Sequence, residues 1–114
     1  MDIATLQEIC SLLPAVTEDI KWGNDLVFSI GGKMFCAASL QPPFTFSFKV
    51  RDEEFEELSN QEGFTPAPYA ARAKWVLATN PSKLSKKEYE DYIKQSYELV
   101  KTKLTKKLRK ELGV

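Results

Sequence analysis

Between Trp22 and Leu40 the chain carries two runs rich in β-branched, aromatic and small apolar residues, parted by Gly31-Gly32. A two-residue loop needs positive φ at both positions, and a glycine pair supplies it without steric cost, so the stretch predicts a β-hairpin. Closing the loop there sets Ile30 opposite Lys33, Ser29 opposite Met34, Phe28 opposite Phe35, Val27 opposite Cys36 and Leu26 opposite Ala37. Successive side chains alternate between faces. Leu26, Phe28, Phe35 and Ala37 are therefore expected on one side, with Val27, Met34 and Cys36 on the other.

The same reading extends in both directions. Asp2 is placed to cap a helix running to Leu13, in which Ile3, Leu6, Ile9, Cys10 and Leu13 form one apolar stripe before Pro14 stops it. Thr17 to Trp22 reads as a short extended piece or turn. After the breaker Gln41-Pro42-Pro43, the segment Phe44 to Val50 alternates strictly. Phe44, Phe46, Phe48 and Val50 share one side, against Thr45, Ser47 and Lys49 on the other, which is a strand with one buried and one wet face. Asp52 to Leu58 opens a helix with Asp52 as its cap, anchored by Phe55 and Leu58; its five acids suit a helix start better than a cation loop. Gly63 to Tyr69 is a loop fixed by two prolines, and Lys74 to Thr79 a last strand ended by Asn80-Pro81. Ser85-Lys86-Lys87-Glu88 is a capping box, and Tyr89, Tyr92, Ile93, Ser96, Tyr97, Val100 and Leu104 mark the inner face of the helix behind it. A final helical piece spans Thr105 to Leu112. The expected order is helix, three or four strands, helix, one more strand, helix, helix. That is an α+β domain covering residues 1–114, with helices on one face of a mostly antiparallel sheet and the other face either wet or a docking surface.

Composition adds exclusions. The 114 residues suffice for one core. No apolar run reaches the roughly 20 residues of a membrane span, and no basic leader precedes one, so a cytoplasmic protein is expected. Cys10 and Cys36 fall in a helix and a strand pattern without metal-ligand spacing, which favours buried small hydrophobes over a disulfide or a nucleophile. There is no histidine, so the usual neutral-pH base and the commonest metal ligand are absent, which speaks against an enzyme. The net charge of zero hides an asymmetry: residues 1–62 carry 4 basic and 11 acidic side chains, and residues 63–114 carry 12 basic and 5 acidic. The adjacent carboxylates Glu18 and Asp19 would point to opposite faces of an extended segment and so do not converge on a cation or a proton.

Several blocks carry a family resemblance. They are Leu13 to Asp19 leading to Trp22-Gly23, then Leu26-Val27-Phe28 with Gly31-Gly32-Lys33-Met34-Phe35, Phe46 to Lys49, Thr65-Pro66 with Tyr69, Lys74-Trp75-Val76, and Ser96 to Val100. Together they resemble the MmcQ/YjbR family of small bacterial proteins across nearly the whole chain. The resemblance implies a frataxin-like (CyaY-like) α/β fold, also likened to the double-wing domain of a phage transcription factor. From that likeness comes the family's label as DNA-binding, an analogy of fold. Many relatives have a histidine and more basic charge before the last tryptophan; here Ala71-Arg72-Ala73-Lys74-Trp75 is a residue shorter and lacks it.

Two uses of the open face follow. In the first, Lys33, Lys49, Arg51, Arg72 and Lys74 contact phosphates, Trp75 serves as a stacking platform, and the lysines between Lys101 and Lys110 contribute field. In the second, the open face or an edge strand docks a protein or peptide, with Trp22 and Trp75 as anchors. Either way the expectation is a non-enzymatic monomer with no cofactor, no metal and no membrane contact, whose partner is DNA or another protein.

Overall fold

The computed structural model describes residues 1–114. Four helices are present: α1 (Ile3–Ser11), α2 (Asp52–Ser59), α3 (Lys86–Lys101) and α4 (Lys106–Leu112). The strands are β1 (Val16–Lys21), β2 (Asp25–Ile30), β3 (Lys33–Ser39), β4 (Phe46–Lys49), β5 (Phe64–Pro66) and β6 (Trp75–Ala78). They form one antiparallel sheet in the order β1-β2-β3-β4-β6-β5. Two short 3-10 turns, Ala71–Ala73 and Pro81–Lys83, flank β6. The architecture is the α+β arrangement anticipated, with the extended piece before Trp22 realised as the edge strand β1.

Helices α1 and α3 cover one face of the sheet. Leu6 and Cys10 from α1, Phe28, Ile30, Phe46, Phe48 and Val76 from the strands, and Tyr89, Ile93 and Tyr97 from α3 are all essentially solvent-free. Their rings interlock: Phe46 lies 5.0 Å from Tyr89 and 5.7 Å from Phe48, and Phe35 meets Tyr97 edge-on at 5.5 Å. Burying each such side chain contributes roughly 1.5–3 kcal/mol, so this layer dominates the stability of the fold.

The helix signals hold where their chemistry is local. Asp2 caps α1 by accepting from the Thr5 amide at 2.8 Å. Ser85 accepts from the Glu88 amide at 3.1 Å while Glu88 reaches back to the Ser85 amide at 3.1 Å. The start of α2 differs from expectation: Asp52 is already helical, and Arg51 occupies the cap with its amide donating to the Glu54 carboxylate at 3.2 Å. The strand β5 was expected to be loop. Thr65-Pro66 reads as a breaker, but at a sheet edge a proline forfeits no ladder bond.

The hairpin register also needs correcting. Ile30 pairs with Lys33 and Ser29 with Met34 around Gly31-Gly32, as expected, but beyond them Phe28 pairs with Cys36, Val27 with Ala37 and Leu26 with Ala38. Phe35 is the additional residue of a β-bulge. One inserted residue reverses the parity of everything after it. Cys36 and Ala38 therefore join Leu26 and Phe28 under the helices, and Ala37 moves to the open face beside Val27. Phe35 itself is fully buried.

Candidate binding groove on the open sheet face

The sheet face opposite the helices has no layer over it, and its surface is hollow near the middle. Ala37, Ser47 and Leu77 are consecutive cross-strand neighbours on β3, β4 and β6, and the first two are small. Two irregular segments rise on either side of this floor.

One wall comes from the β1–β2 connection, Trp22-Gly23-Asn24. Lys21 faces Asp25, so three residues must reverse the chain, and they do so with φ of 54° at Trp22 and 80° at Gly23. The left-handed region is natural for glycine and strained for a bulky aromatic residue, where it costs about 1–2 kcal/mol. The Trp22 side chain is 68% exposed.

The other wall is the loop Ala67-Pro68-Tyr69-Ala70, which folds back over β6. The Ala67 amide donates to the Trp75 carbonyl at 3.0 Å, and the Trp75 amide donates to the Ala70 carbonyl at 3.2 Å. Clamped in this way, the loop buries Trp75 to 5% exposure although Trp75 points to the open face. Tyr69 projects from the loop tip with φ 64° and its side chain wholly exposed.

Together these walls and floor enclose a groove of about 680 Å³ in which eight of the eleven lining residues are hydrophobic. Trp22, Tyr69, Trp75 and Met34 contribute the large surfaces. Asp25, at the start of β2, is the only formally charged side chain in the lining. No lysine or arginine borders the groove.

The candidate phosphate contacts lie around it. Antiparallel pairing of β3 with β4 and of β4 with β6 brings Lys33, Lys49 and Lys74 to the same end of the sheet. Lys33 is exposed next to the hairpin turn. Lys49 is half-buried: its ammonium donates to the Ala73 carbonyl, and partial burial, with Lys103 and Lys74 nearby, holds its pKa below the usual lysine value against the pull of Asp52. Lys74, at φ 63°, rests its ammonium 5.0 Å above the centre of the Phe55 ring. Arg72 is exposed in the 3-10 turn. Arg51 is exposed too but borders a hollow shared with Asp91, Lys94 and Glu98 of α3, apart from the open-face groove. At 5% exposure Trp75 offers no free platform for a base.

Glu18 and Asp19 diverge as expected. Glu18 accepts from the Gln7 amide of α1 at 3.2 Å, and Asp19 accepts from the neighbouring Ile20 amide at 2.9 Å. Cys10 and Cys36 are both free, buried and close together; burial raises the Cys36 thiol pKa, as does the adjacent Cys10. No helix is long and apolar enough to cross a membrane.

Of the groove residues, Trp22 and Trp75 are visible in the sequence as aromatic anchors. Ser47 is visible as a residue of the wet strand face, but Ala37 is not, because its place beside Val27 and Ser47 depends on the bulge, and Tyr69 reads as a loop residue.

A six-stranded antiparallel sheet with four helices and an aromatic hollow on its bare side defines a small α+β domain. The chain belongs to the YjbR family, whose sequence model matches residues 12–99. The crystal structure of the Deinococcus radiodurans protein DR2400, a DUF419 domain, is similar to it at 29% identity and a TM-score of 0.89, over 99% of this chain and 88% of that one. A Pseudomonas syringae protein of solved structure shares the fold at 17% identity and a TM-score of 0.74, over 88% of this chain and 99% of that one. No curated protein matches the chain.

Proposed function

We propose that this protein is a non-enzymatic interaction module that docks a segment of a partner polypeptide in the open-face groove. The observation that carries the reading is the pair Trp22 and Tyr69, both large, both exposed, both held at positive φ, on opposite walls of an apolar groove of about 680 Å³. Exposed aromatic residues around an apolar hollow are what a polypeptide anchor buries. Strain retained at both of them supports a role outside folding.

Charge separates this reading from the nucleic-acid one. A polyanion entering the groove would meet the carboxylate of Asp25 and no cation. Two of the basic residues at the sheet end are already engaged, Lys49 with Ala73 and Lys74 with Phe55. The second reading, DNA contact through that end of the sheet, keeps support from the gathering of Lys33, Lys49 and Lys74 with Lys103 beside Lys49.

The test is peptide selection from a random display library on the full chain, followed by calorimetry. Selected peptides are expected to bind at micromolar strength and to lose at least about tenfold in affinity to both Trp22→Ala and Tyr69→Ala. Labelled duplex DNA should show no saturable binding at low salt. Tight DNA binding with a steep salt dependence, and no selected peptide, would reverse the assignment.

A further inference from the structure

The groove's lining also selects among side chains, on the reading that it docks a polypeptide. Two exposed aromatic residues, Trp22 and Tyr69, border the same space as the thioether of Met34 and one carboxylate, Asp25. Ring faces carry partial negative charge and attract cations, most strongly when water is excluded. Asp25 adds a full negative charge. It takes part in none of the five ion pairs of the molecule, although Lys21 stands opposite it in the β1–β2 register. No side-chain hydrogen bond engages it either.

An unpaired carboxylate beside aromatic rings, with no cation in the lining, is complementary to a positive charge and repels a negative one. Ala37, on the strand next to β2, offers apolar surface within reach of Asp25, suited to the methylene stem of a long basic side chain whose head remains polar. Trp22 and Asp25 belong to the same turn, so a head group at Asp25 lies beside the Trp22 wall.

We propose that the docked segment is recognised through a lysine or arginine side chain, whose stem lies over Ala37 on the neighbouring strand and whose cationic head is held by Asp25 beside the Trp22 ring. An acidic segment is rejected at the same place.

The test is a positional-scanning library of capped octapeptides, measured against the full chain, Asp25→Asn and Asp25→Lys, with each variant's folding checked by circular dichroism. For the unmodified chain, lysine or arginine at one position is expected to outbind norleucine by about 5- to 20-fold. Asp25→Asn should bring that ratio below about twofold, and Asp25→Lys should favour aspartate or glutamate at the same position. Apolar peptides that bind with no cation preference, or a preference unchanged in Asp25→Asn, would overturn the inference and leave the docking groove standing. No peptide binding at all would overturn both.

Discussion

The hydroxyl of Ser96 lies 2.6 Å from the carbonyl oxygen of Phe35 and donates to it, while accepting from the amide of Lys49 at 2.9 Å. Those two backbone groups would be the next rung of the β3–β4 ladder, which stops at the Cys36–Phe48 pair. A helix side chain is therefore inserted between the strands at the bulge. It satisfies both groups where the bulged strand has bent away, and it fixes the end of the sheet that carries Lys49.

Removing that hydroxyl leaves a buried donor and a buried acceptor unpaired. Each such group costs about 1–3 kcal/mol, so Ser96→Ala is expected to lower unfolding stability by about 2–3 kcal/mol in urea titrations. The Lys49 amide should exchange with solvent markedly faster. Unchanged exchange there would show that β3 and β4 had zipped together without the bridge.

The two loop glycines should respond unequally to alanine. A Cβ at Gly31 would lie 2.8 Å from Leu104 Cδ1 and 3.2 Å from Leu108 Cδ2, whereas one at Gly32 meets nothing within 4 Å. Both positions have positive φ. Gly32→Ala should therefore cost about 1 kcal/mol, the conformational cost alone, and Gly31→Ala about 2–3 kcal/mol because the hairpin tip must also move off Leu104 and Leu108. Thermal melting of the two variants side by side measures the difference.

Two buried tyrosines on α3 make opposite predictions at neutral pH. Tyr97 donates its hydroxyl to the Pro14 carbonyl at 2.7 Å, tying α3 to the end of α1, so Tyr97→Phe should cost about 1 kcal/mol. The Tyr89 hydroxyl is buried with no well-formed hydrogen bond, the Leu84 backbone being its one polar neighbour, so Tyr89→Phe should leave stability unchanged or raise it. Burial pushes the Tyr89 phenol up to about 12 and raises Tyr92 and Tyr97 in the same direction. The folded state thus favours the neutral phenol. Its contribution is fully present below about pH 10, the unfolded value, and is lost as pH rises toward 12. Urea midpoints measured from pH 8 to 12 should fall over that window, and less so for Tyr89→Phe.

The strained aromatic residues supply a fourth test. Trp22→Gly and Tyr69→Gly each relieve a left-handed backbone and remove an exposed ring, so both should hold or gain up to about 1 kcal/mol of stability while peptide docking fails. Substantial destabilisation by either would mean that the ring serves the fold.

Much of this architecture is legible in the chain because its signals are local. The Asp2 cap, the Ser85–Glu88 box and the alternation from Phe44 to Val50 each need only a few neighbouring residues to declare themselves. The bulge is hidden because Met34, Phe35 and Cys36 are all apolar, so an inserted residue disturbs no polar–apolar alternation. Likewise β5 exists only because β6 is there to pair with it, and no local propensity announces Thr65-Pro66. The groove inherits both uncertainties. Its floor follows from the shifted parity of β3, and its far wall from a loop whose hydrogen bonds reach across to Trp75. The basic residues near the open face are visible in sequence, but their engagement by Ala73 and Phe55 is a tertiary fact.

Helix α3 is the principal cover of the sheet's inner face, and it follows all six strands in the chain. The phenylalanines of β2, β3 and β4 emerge first and wait without their lid until residues 86–101 follow. A nascent chain made only as far as β6 therefore carries its apolar sheet face uncovered and prone to association, until Tyr89, Ile93 and Tyr97 arrive to close over it.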